Sequence, residues 1–189
     1  MNLFLIGYTA KDVASNHCDK HVIKMILEIA QLLYTAWWCS RPKVMQNVVH
    51  PKPYRATHKN HPTAIWVRAH PNHYHFAAMV GLELCREYTR RYGKVHKTQQ
   101  HIERLAQMGA APSVEETYTP PVHKCATTGL PEGVHFFHCA VADELFPQCA
   151  RYTDGQLNAV ETYRAYYKTK GWKMKWNRGK EQSPTWYEI

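Results

Sequence analysis

The stretch HCDKHVIKMILEIAQLL, His17 to Leu33, admits few folds. At about 100° per residue, His17, His21, Lys24, Glu28 and Gln31 fall within an arc of roughly 80°, and Thr35 extends the same line. Val22, Ile23, Met25, Ile26, Leu27, Ile29, Ala30, Leu32 and Leu33 cover the rest of the circumference. An ordinary surface helix is apolar on one face and charged on the other. This pattern is inverted, so it predicts a central helix whose narrow polar line faces a cleft or a buried network. The plainer reading is a structural Lys24–Glu28 pair at the i,i+4 spacing, but lysine before glutamate is the weaker orientation. The pattern therefore favours a functional stripe, with Glu28, His21 and Lys24 as candidate catalytic groups and His17 and Gln31 beside them.

Helix signals place the rest around this element. Thr9 is an N-cap with Asp12 three residues on, so a first helical stretch should run from about Ala10 to Trp38, broken near Asn16. Pro62 and Pro71 each stand where a first helical position would be, and Gly93 ends the second of those helices. Tyr74, Ala78, Gly81, Cys85 and Tyr88 form its inner face. KTQQHIERLAQMG reads as a further helix, and DGQLNAVETYRAYYKTK as the last, capped near Thr153 or Asp154. NLFLIGY opens the chain as a short strand or an extended lead-in. The expected fold is mainly α: one compact helical domain, with a helical core over about 10–108 and 153–170. Irregular segments are expected over 39–60 and 109–152, where Pro112, Pro120, Pro121, Pro131 and Pro147 fall, and a basic aromatic tail over 171–189.

With 189 residues the chain can bury a real core. No targeting segment is recognisable and no membrane span is expected, so the reading is cytoplasmic. Six scattered cysteines without a CxxC read as reduced thiols. A net charge of +9, with 13 histidines on top, points to phosphate-bearing partners, DNA or a nucleotide ligand. His58, Lys59, Asn60 and His61 precede a helix, where backbone amides attract anions, although Asn60 also serves as a plain N-cap. Lys175 and Arg178, interleaved with Trp176 and Trp186, suit phosphate contact and base stacking, while some of these aromatics are needed to pack on the core and anchor the tail. HKC (123–125) and HFFHC (135–139) match no standard zinc spacing, and neither a metal nor a cofactor is expected.

Three segments carry a resemblance. CDKHVIKMILEIAQLL resembles the active-site helix of the pyrimidine-dimer DNA glycosylase family, the phage endonuclease V type: Asp19, His21 and Glu28 match its Asp, His and catalytic Glu spacing. NHPTAIWVRAHPNHYHFAAMVGLELCREYTRRYG is similar to a stretch of bacterial relatives, and the ending SPTWYEI is similar to the family's closing PTWY segment. The resemblance implies a mainly α enzyme acting at an N-glycosidic bond, whose N-terminal α-amine attacks the sugar C1′ to give a Schiff base. Glu28 would stabilise the cationic sugar and move protons, Asp19 would line the site, and β-elimination would cut the strand. The chain departs from the pattern in three places. Asn2 stands where the family exposes threonine, so Met1 or Asn2 would supply the amine. The segment before Asp19 is longer, and Leu27 stands where an arginine precedes the glutamate.

The leading expectation is therefore a DNA glycosylase, with strand-cutting lyase activity through the Schiff base. One alternative keeps the cleft but binds, sequesters or cleaves a small nucleotide signal. A second is a non-catalytic nucleic-acid-binding module, and Lys24 is an alternative amine nucleophile.

Overall fold

A computed structural model of the chain describes residues 1–111, 122–179 and 182–187. Its centre is α2 (Asp19–Ser40), preceded by α1 (Ala10–Asn16). The Thr9 hydroxyl accepts from Asp12 N and starts α1. The break falls at His17 and Cys18, whose extended backbones turn the chain before α2. Then come α3 (Pro42–Gln46), α4 (Pro62–Ala69), α5 (Pro71–Tyr92) and α6 (Gln99–Met108), the first three opening on proline. Gly93 closes α5 in the left-handed region (φ 63°), as its position after the last apolar residue predicts.

α2 packs on α4, α5 and α6, and α5 also packs on α1. Gly81 of α5 permits the three-way meeting: a Cβ there would lie 3.0–3.1 Å from Ile102 of α6 and Ile29 of α2. The lead-in pairs with no strand among the described residues and turns where Phe4 O accepts from Ile6 N at 3.0 Å, and Leu3, Leu5 and Ile6 are fully buried. α2 is also long and apolar enough to cross a membrane by length and composition alone, yet more than half of its most apolar window is buried inside the fold.

The second half is less helical. β1 (Cys125–Ala126) pairs antiparallel with β2 (Phe137–His138), which packs on α4. After α7 (Phe146–Cys149), β3 (Tyr152–Thr153) and β4 (Gln156–Leu157) form a hairpin. α8 (Ala159–Lys168) follows. This corrects the expected cap at Thr153 or Asp154. Asp154 and Gly155 both have positive φ (50° and 75°), the requirement of a tight hairpin turn, and the helix is instead capped by Asn158, whose Oδ1 accepts from Glu161 N. Of the prolines expected in loops, Pro112, Pro120 and Pro121 lie outside the described residues.

The tail is strapped to the α1–α2 junction. Lys175 O accepts from Asp19 N (2.8 Å) and Trp176 Nε1 donates to Asn16 O (3.2 Å), while within the tail Tyr187 OH donates to Gly171 O (2.8 Å). All six cysteines are free thiols.

Candidate active site

The polar line on α2 is used in three different ways along its length. At its buried end His17 is 1 % exposed, and its Nδ1 lies 2.5 Å from Val13 O. His21 meets Tyr167 OH at 2.5 Å and stacks on Phe4 (5.2 Å, 13°). At the far end Thr35 pins the loop before α4, exchanging hydrogen bonds with Thr57 N and Thr57 O, both 3.2 Å. Only the middle opens to solvent: Glu28 is shielded (13 % exposed) while Lys24 is largely free of the surface (69 %), with 3.1 Å between them.

Burial decides the state of the two histidines. It pulls His17 down to about 4, against a partial offset from the Val13 carbonyl. It pulls His21 to about 3, helped by the positive fields of His17, Lys20, Lys24 and Lys170. Both are therefore neutral in the folded protein, whereas in the unfolded chain each takes a proton near 6.5. Stability is then full above about pH 6.5 and is lost as pH falls from there toward 4. Urea midpoints should decline between pH 7.5 and 5, and His17→Leu should flatten part of that decline; an unchanged slope would contradict this origin.

Facing the middle of α2 is the start of the chain. Asn2 N donates to Glu28 Oε2 at 2.9 Å, so one carboxylate oxygen holds residue 2 and the other holds Lys24. His61 stands close enough to feel both the chain terminus and Glu28. Its Nδ1 accepts from Thr63 N (3.2 Å), which makes His61, not Asn60, the N-cap of α4 and leaves its Nε2 as the donor nitrogen. His58, Lys59 and Asn60 are exposed in the preceding turn. His138, on β2, is 6 % exposed and is pulled to about 4, mainly by burial and also by Lys124 and His61.

Several residues expected at the site are elsewhere. Asp19 lies nine residues from Glu28, about 180° round the helix. Its carboxylate bonds Arg91 (3.0 Å) and Asn177 N (2.7 Å), so it ties α2 to α5 and to the tail. His17 is likewise withdrawn, by burial. Lys175 and Arg178 border an open groove of about 430 Å³ with Asp19, Lys20, Lys173 and Asn177, away from Glu28. Trp176 is buried against Tyr187 and so has no free face for a base. Trp186 is half-buried among Tyr167, Tyr187 and Arg164. Leu27, at the family's arginine position, is exposed beside Ile23. Among the described residues no three His, Cys, Asp or Glu side chains are placed to hold a metal.

The profile of the family described as pyrimidine dimer DNA glycosylase matches residues 1–106, more than half of the chain. The protein belongs to this family. No curated protein and no solved structure gives a match. At the level of the pyrimidine dimer DNA glycosylase family, the function is of the DNA-glycosylase type, and DNA is the substrate class. The matched segment contains the lead-in, Glu28, helices α1 to α5 and all but the last two residues of α6, while residues after 106 lie outside it. Two neighbours of Asn2, Ala140 and Tyr163, come from that remainder and were not foreseen. No spacing rule links residue 2 to a tyrosine 161 positions away.

Proposed function

We propose that the protein removes a base from duplex DNA by attack of its terminal α-amine on the sugar C1′, and then cuts the strand by β-elimination. The observation that carries this reading is the 2.9 Å contact between the nitrogen of residue 2 and the Glu28 carboxylate. If Met1 is removed, that nitrogen is the nucleophile. If Met1 stays, its amine lies within about 3.7 Å of that nitrogen, the span of three backbone bonds.

In the reaction the amine lone pair forms the N–C1′ bond as the C1′–base bond breaks. The base leaves with that electron pair and is protonated. Opening of the C1′–O4′ bond, with a proton taken up on O4′, yields an iminium. Loss of a 2′ proton then expels the 3′ phosphate oxygen. Glu28 balances the positive charge that develops on the sugar and carries protons between these steps. Lys24 orients Glu28. Gln31, His58, Lys59, Asn60 and His61 supply donors toward flanking phosphates, and the half-buried His21 shapes the wall.

The test uses untagged protein, an oligonucleotide with an abasic site or a cyclobutane dimer, borohydride, and mass spectrometry. An adduct on residue 1 or 2 is expected. An adduct on Lys24 would keep the chemistry and move the nucleophile. With a control enzyme trapped in parallel, absence of any adduct would overturn the reading. A thermal shift with mononucleotides or cyclic dinucleotides would then favour a small-nucleotide ligand.

A further inference from the structure

A nucleophile at a chain end has a physical difficulty, because terminal residues fray unless something ties them down. Here the tie is the side chain of Asn2. Its Nδ2 donates to Ala140 O at 3.0 Å, and its Oδ1 accepts from Tyr163 OH at 3.1 Å and from Leu3 N at 2.8 Å. The Tyr163 hydroxyl in turn accepts from Ala140 N at 2.9 Å. Asn2, Ala140 and Tyr163 therefore close a ring in which each donates once and accepts once. Tyr163 is fully buried, with Phe4 edge-on at 5.6 Å and Phe137 at 6.0 Å, so the ring stands on a rigid wall.

We propose that Asn2 is a positioning residue, and that Tyr163 and the backbone of Ala140 are its anchor, together holding the chain terminus against Glu28. The proposal rests on the amine reading given above. It assigns a role at the site to the second half of the chain, outside the segment that matches the family. An amide is suited to this because it presents a donor and an acceptor in one plane, whereas a hydroxyl at position 2 would offer a single oxygen. The anchor leaves the main-chain nitrogen free to face Glu28. Whichever residue bears the amine, its distance from the carboxylate is set by the same ring. Misplacing a reacting group by about 1 Å can cost on the order of 100-fold in rate.

The experiment compares untagged full-length protein with Tyr163→Phe, which keeps the ring and removes the hydroxyl, and Asn2→Leu, which keeps the bulk and removes both partners. Three quantities are read: borohydride trapping rate on an abasic duplex, duplex Kd, and acylation of the terminal amine relative to lysines. Trapping should fall 10- to 100-fold in each variant with Kd within twofold, and the double variant should be no worse than Asn2→Leu, since the two act as one unit. The terminal amine should be acylated several-fold faster in both variants than in the parent. Parent-like trapping in both variants, or loss of trapping matched by loss of binding, would overturn the anchor. If the parent protein forms no adduct, the amine chemistry fails, but the acylation ratio still decides: equal rates sink the anchor and faster labelling supports it. If Tyr163→Phe does not fold, the Asn2→Leu comparison stands alone.

Discussion

Glu28→Gln should lower the rate of borohydride-trapped adduct by about 10²–10⁴-fold, the range for removing a positioned acid–base group. The substitution is nearly isosteric, and its remaining carbonyl can still accept from Asn2 N, which now lies 2.9 Å from the carboxylate. What disappears is the negative charge facing the sugar and the capacity to take up a proton. Folding should hardly notice. The Lys24 partner is 69 % exposed, and such a pair contributes about 0–1 kcal/mol. Duplex affinity should also hold, because the lost charge is negative and opposes phosphate. The measurement is trapping rate beside anisotropy on the same abasic duplex. Trapping within tenfold of the parent would remove Glu28 from the chemistry.

The long apolar α2 was legible from helical periodicity, although Ile23 and Leu27 of its apolar circumference stand exposed beside the polar line, and the helix starts at Pro62 and Pro71 were legible because within a helix proline is tolerated in the first turn. Other features depended on long-range packing. The spacing of Asp19, His21 and Glu28 looks like one constellation in sequence, but the helix separates it. Asp19 turns to the far side to bond Arg91, the half-buried His21 is held between Phe4 and Tyr167, and Glu28 is the one of the three that holds residue 2. In the tail, interleaved lysine and tryptophan suited both base stacking and anchoring on the core, and sequence does not say which tryptophan does which. Trp176 is an anchor: it is buried and donates to the Asn16 carbonyl, because the end of α1 leaves that carbonyl without a helical partner. The Asn2 ring joins positions 2, 140 and 163, which share no local pattern.

The second large effect concerns stability. Arg91→Leu should cost about 3–5 kcal/mol, the range for breaking a buried ion pair from one side. The Arg91 side chain has no exposure. Its Nε donates to Glu87 (2.6 Å), one terminal nitrogen to Asp19 (3.0 Å) and the other to Ser15 O (2.9 Å), so a single guanidinium joins α5, the start of α2 and the end of α1. Asp19 passes the connection on to the tail through Asn177 N. Leucine keeps an apolar stem in the space but takes the buried guanidinium away from Glu87, which is 8 % exposed and, among the described residues, is left with Arg90. Arg91→Lys should fall between, because an ammonium keeps the charge without the planar fork that reaches three partners at once. Arg86→Ala is the control: its Glu83 pair is on the surface, with the arginine 69 % exposed, and should change stability by under about 1 kcal/mol. For a chain of this size the Arg91→Leu loss corresponds to a Tm lower by roughly 6–20 °C. A urea-determined loss below about 1 kcal/mol would mean that the network is dispensable, and that the Asp19 of the glycosylase-like motif has some use other than holding α2 in place.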